Sequence, residues 1–72
     1  MSLTPEQVTA YCINRVDSGF IINILNSYTR SKIDEVIDYL VLNEAAIIAE
    51  YSSAEYNRLL DTVKVARFGR LP

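Results

Sequence analysis

Apolar residues recur at helical spacing through most of this chain. The cleanest stripe is Ile33, Val36, Ile37, Leu40 and Val41, at i, i+3, i+4, i+7 and i+8. That is the pattern of a helix with one buried face. Before it, Val8, Tyr11 and Cys12, with Val16 as a further member, form a shorter stripe. After it, Tyr56, Leu59, Leu60, Val63 and Ala66 or Arg67 form another. Between residues 19 and 29 the apolar residues Phe20, Ile21, Ile22, Ile24, Leu25 and Tyr28 cover most of a helix circumference. Only Asn23, Asn26 and Ser27 are left as a polar side. A helix apolar nearly all round is expected at the centre of a fold. Isoleucine also favours strands, but no second strand is present to pair with Gly19–Leu25.

Start and stop signals divide these stripes into helices. Thr4-Pro5-Glu6-Gln7 reads as a capping box with proline at the first helical position. Asp17 or Ser18 caps the second helix and Ser31 the third, with Asp34 where a capping-box acid belongs. Ser52 and Glu55 form the same signature before the last helix, and Gly69 is a helix stop.

The long central stretch needs a break. In a straight helix from 32 to 51, Glu44 would lie about 20° from Ile33 around the axis, inside the apolar face. Leu42 would lie about 180° away, facing water. A break at Leu42–Asn43 removes both conflicts, with Asn43 as the next N-cap and Glu44 as a first-turn acid. The expected helices are therefore about 5–15, 19–29, 32–42, 44–51 and 53–67. They make an all-α fold, a small compact bundle of four to five short helices in a single domain over 1–72. Residues 1–3 and 69–72 are its expected less ordered ends.

Length adds a constraint. The chain has 72 residues, of which 50% are hydrophobic. So short a chain buries only about 60% of its unfolded surface. It therefore carries more apolar surface than a monomer core absorbs, and a homodimer or a stable partner complex is expected. Cys12 is the single cysteine, so no internal disulfide forms. It sits in an apolar stripe and reads as a small buried hydrophobe. The expected location is intracellular, in the cytoplasm: residues 1–20 lack a signal peptide's pattern, and Phe20–Leu25 is far too short to span a bilayer.

The chemistry is defined mostly by exclusion. With no histidine, no Ser–His–Asp or Cys–His nucleophile can be assembled. A lone cysteine builds no zinc site. Gly19 and Gly69 lie too far apart for a phosphate-cradling loop. The chain is therefore expected not to be an enzyme and to use no cofactor or metal. Asp34 and Asp38 share a face at i, i+4, but a solvated helix face explains them best.

Charge order is more informative. Between Lys32 and Arg58 there is no basic residue, whereas Asp34, Glu35, Asp38, Glu44, Glu50 and Glu55 fall there. After Asp61 come Lys64, Arg67 and Arg70 with no acid. A net charge of −2 leans against nonspecific nucleic-acid binding. The expected function is a small non-catalytic interaction or regulatory protein of inhibitor or accessory type. It would dock another protein, one with a basic surface, through an acidic face of the third helix. The candidate interface residues are Asp34, Glu35, Asp38, Tyr39 and Leu42. Tyr39 is the amphipathic anchor, because it points about 120° from Ile33. Two alternatives remain. One is a DNA-binding regulator touching phosphate through Lys64, Arg67 and Arg70. The other is a structural subunit of a larger assembly.

Overall fold

A computed structural model describes residues 3–15 and 17–69. Five helices follow in order: α1 Pro5–Cys12, α2 Ser18–Leu25, α3 Arg30–Leu42, α4 Glu44–Glu50 and α5 Ser53–Phe68. Among the described residues no strand forms, and no helix is long and apolar enough to cross a membrane. The radius of gyration is 11.2 Å, which matches the ~11 Å expected of a compact chain of this length.

Local sequence sets the helix ends. At α1 the Thr4 hydroxyl accepts from the Gln7 amide at 3.2 Å, and the Gln7 side chain accepts from the Thr4 amide at 2.9 Å. Asp17 caps α2 by accepting from the Phe20 amide at 3.2 Å. The Ser52 hydroxyl accepts from the Glu55 amide at 3.1 Å. Gly69 ends α5 at φ 81°, a left-handed value that glycine adopts without a Cβ penalty. The break at residue 43 is present, so α3 and α4 form an elbow.

Several expectations need correction. α1 ends at Cys12 rather than Arg15, because the Arg15 amide turns back to the Cys12 carbonyl at 3.0 Å. α2 ends at Leu25, where Ser27 and Tyr28 close tight turns onto Ile24 and Leu25. α3 begins two residues before Lys32, because Thr29 and not Ser31 caps it, accepting from the Lys32 amide at 3.2 Å. Asn43 does not cap α4 with its side chain. Its Nδ2 instead donates back to the Tyr39 carbonyl at 2.9 Å, so Asn43 closes α3.

The core contains Val8, Cys12, Ile13, Ile21, Leu25, Ile33, Val36, Leu40, Ile47, Tyr56, Leu59 and Val63. α3 packs on α1, α4 and α5, while α5 packs on α2, α3 and α4. The α3–α5 pair is thus the centre of the fold. α2, despite its apolar sequence, lies against α5 and leaves Phe20 exposed. Two cross-connections run in opposite chain order, Tyr56 to Leu40 and Arg67 to Asp34, so α3 and α5 are antiparallel.

Two members of the expected stripes are on the surface. Tyr11 is exposed, and outside the core its ring and that of Phe20 both lie under the Arg15 guanidinium at 4.8 Å. Val41 is exposed because it lies about 80° around the axis from Ile33 and further still from Val36. Phe68, beside the Gly69 stop, is also exposed. Val16, Arg70 and Leu71 lie outside the described residues, as do 1–2 and 70–72 of the expected less ordered ends.

Candidate functional site at the α3–α4 elbow

The kink at Asn43 decides what α3 presents to solvent. Leu42, the last residue of α3, would be one outward position on a straight helix. At the elbow it becomes a projecting tip, 83% exposed, beside Val41 at 55%. α4 leaves the break with Ala45, Ile48 and Ala49 turned toward the same side. Together with Val41, Leu42 and Glu44 they line a shallow open groove. Ala45 and Ala49 stand one helical turn apart, and their small side chains let a partner's backbone come close. Asp38 lies one turn before Leu42 on the outer side of α3, and both it and Glu44 are exposed. Among the described residues the ion pairs are Lys32–Glu35 and Arg67–Asp34. The carboxylates of Asp38 and Glu44 take part in neither. The result is an apolar groove with an unpaired acidic rim.

The five candidate interface residues do not share one face. Asp38 and Leu42 belong to this elbow. Glu35 is exposed one turn further back and sits 3.9 Å from Lys32. Asp34 is occupied inside the molecule: its Oδ1 accepts from Arg67 Nε at 2.6 Å. Tyr39 lies only about 60° around α3 from Leu42 but is half-buried against the core. There it borders a shallow depression shared with α1 and α4 and lined also by Glu6, Glu50 and Tyr51. Burial, followed by the charges of Glu6 and Glu50 and the neighbouring Tyr51, raises the Tyr39 hydroxyl above its ordinary pKa.

The apolar stripes do not mark Val41, Ala45 and Ala49 as surface residues: Val41 falls in the α3 core stripe yet is exposed, whereas Ile48 is half-buried against the core and only edges the groove. The available signal was Leu42 facing water next to small residues at i, i+4. Compared with family models, with curated proteins and with solved structures, the chain gives no significant match in any of the three.

The basic end is differently arranged. Arg67 is held by Asp34 and stacks over the Phe68 ring at 5.1 Å. Lys64 is exposed, and Arg70 lies outside the described residues. The acidic middle and the basic tail therefore meet within one chain, at the Asp34–Arg67 pair. Helical spacing along α5 predicts i, i+3 ion pairs Glu55–Arg58 and Asp61–Lys64. Neither is among the ion pairs of the described residues, and Glu55 accepts from the Ser52 hydroxyl at 3.2 Å. Cys12 is buried in the core, and burial raises its thiol pKa against a smaller opposing effect of Arg15. A protonated, enclosed thiol is a poor nucleophile.

Proposed function

We propose that this chain is a non-catalytic protein-binding module that docks its partner at the α3–α4 elbow. The observation that carries this reading is Leu42, 83% exposed at the tip of a groove lined by apolar and small side chains. Water-exposed leucine at a fixed kink costs solvation without contributing to the core. A projecting apolar residue with a charged rim is the arrangement of an interface centre. The partner is a protein with an apolar ridge flanked by lysine or arginine, because Asp38 and Glu44 supply unpaired negative charge beside the groove. Such a rim opposes symmetric pairing of two copies through this surface, since it would bring Asp38 and Glu44 against their own counterparts. The intracellular, regulatory role expected from the sequence fits this module.

Asp34→Lys is a poor probe of the surface, because it also breaks the pair with Arg67. The cleaner test is Asp38→Lys with Glu44→Lys, compared with Leu42→Asp. Both variants keep the helical circular dichroism of the parent and lose the partner. Retained binding in both would contradict the elbow as the docking surface. Light scattering on the purified chain separates a heterologous partner from a homodimer.

A further inference from the structure

The corner between α1 and α2 brings two exposed aromatic rings together. Tyr11 stands in the last turn of α1 and Phe20 in the first turn of α2. Their ring centroids are 6.3 Å apart and the rings are tilted by 44°. Between them in the chain, Cys12 and Ile13 are buried, so the corner rests on the core. Ile24, one turn on from Phe20, is half-buried and continues the apolar side of α2. The Arg15 guanidinium lies 4.8 Å from both ring centroids, inside the reach of about 6 Å of a cation–π contact. It does not seal the rings from water. Tyr11 stays 46% exposed and Phe20 37%, and clustered exposed apolar surface of this kind marks an interaction site.

The charge at this corner is single and open. Arg15 is the only basic residue before Arg30. It takes part in neither ion pair of the described residues. The nearest acid in the chain, Asp17, accepts from the Phe20 amide at 3.2 Å and caps α2 instead. Tyrosine and arginine side by side are also the residue types that dominate the centres of protein interfaces.

We infer that this corner docks an acidic, apolar segment of another protein. A carboxylate of that segment pairs with Arg15, whose planar fork of N–H donors matches two carboxylate oxygens. An aliphatic neighbour of the carboxylate covers the Tyr11 and Phe20 rings. Nucleic acid fits less well. Its affinity comes from neutralising several phosphates, whereas residues 3–25 hold one cation and two acids, Glu6 and Asp17. Symmetric pairing of two copies through the corner fits no better, because it sets Arg15 against its own counterpart. The inference does not rest on the elbow reading: it uses other residues and takes a partner segment of the opposite charge.

The test is a titration of the purified chain followed by the Tyr11 and Phe20 ring signals in NMR. The ligand is the capped tripeptide leucyl-glutamyl-leucine. Its glutamine counterpart and a short oligothymidylate are the controls. The expected result is a saturable shift with the acidic peptide and binding at least about tenfold weaker with the glutamine peptide, which lacks the charge that Arg15 pairs with. Arg15→Gln should weaken the acidic peptide by a similar factor. Arg15→Lys, which keeps the charge but loses the planar fork, should recover only part of it. Linear drift with the acidic peptide, an equal response to the glutamine peptide, or undiminished binding in Arg15→Gln would overturn the inference. So would tighter saturable binding of the oligothymidylate, which assigns the corner to nucleic acid. Ring shifts that follow protein concentration alone would also overturn it, in favour of a second copy of this chain. Arg15 is exposed, so both variants are expected to fold. If either does not, the wild-type comparison of the two peptides decides.

Discussion

The hydroxyl of Tyr56 donates to the main-chain carbonyl of Leu40 at 2.9 Å in the buried centre of the α3–α5 contact. Leu40 is among the last four residues of α3, whose carbonyls have no partner within their own helix. Had α3 continued through residue 43, the Glu44 amide would have taken that carbonyl. The break removes this partner, and a side chain 16 positions along the chain replaces it. The kink beside Leu42 is thus held from two sides, by Tyr56 on Leu40 and by Asn43 Nδ2 on the Tyr39 carbonyl.

Tyr56→Phe should keep the fold and lose about 1–3 kcal/mol, because it leaves a buried carbonyl without a donor. Urea denaturation followed by circular dichroism measures it. A change under about 0.5 kcal/mol would show that water or a backbone shift replaces the hydroxyl.

Tyr56 also predicts an alkaline limit to stability. Burial first, and the Glu44 charge second, raise its pKa above the ordinary 10.0. Above pH 10 the unfolded chain therefore releases this proton while the folded chain retains it. The unfolded state then binds fewer protons, and stability falls as pH rises. The contribution is fully present below the unfolded value and is lost as pH climbs through the folded one. Tyr39 has the same sign for its own causes. Melting temperatures measured from pH 8 to 11 should decline above 10, and less steeply in Tyr56→Phe. Identical slopes would remove Tyr56 as a cause.

Asn43→Ala removes the side-chain bond to the Tyr39 carbonyl, which is part-buried. The expected loss is about 1 kcal/mol. Amide exchange should quicken around residues 40–46 before the rest of the molecule. Uniform quickening would mean that the elbow is not a separately held unit.

Arg67→Met breaks the pair with Asp34, whose side chain is 48% exposed. Exposed pairs contribute about 0–1 kcal/mol and weaken with salt. The difference from the parent in denaturant midpoint should be small at low salt and nearly vanish at 1 M sodium chloride. A large, salt-independent loss would point to packing of the arginine stem instead.

Much of this fold is legible in the sequence where the signal is local. The Thr4 and Ser52 caps, the Gly69 stop and the break at residue 43 each follow from a few adjacent residues. The break is present, but it resolves only half of the angular conflict: Glu44 leaves the apolar face, whereas Leu42 still faces water at 83% exposure, because the turn at Asn43 comes after it and does not rotate it toward the core. What stayed hidden depends on contacts between distant residues. Asp34 reads as a capping-box acid for Ser31, but Arg67, 33 positions away, takes its carboxylate. Thr29, two positions before Ser31, caps α3 through the Lys32 amide. Tyr11 has the spacing of a core residue but sits on the surface, its ring under Arg15. Of the interface candidates, Asp38 and Leu42 fall together at the elbow, whereas Tyr39 borders the depression beside α1. Helical phase alone places Tyr39 off the Ile33 face, but only packing decides what covers it.

The elbow as a docking surface is tested most directly by photo-crosslinking from position 42, with p-benzoylphenylalanine replacing Leu42 in native host extract. Since Leu42 is 83% exposed, the substitution should leave stability within about 0.5 kcal/mol. The predicted result is one discrete adduct with a different protein, lost when Asp38→Lys and Glu44→Lys are added. An adduct that survives those two charge reversals, or adducts formed only between copies of this chain, would contradict the account.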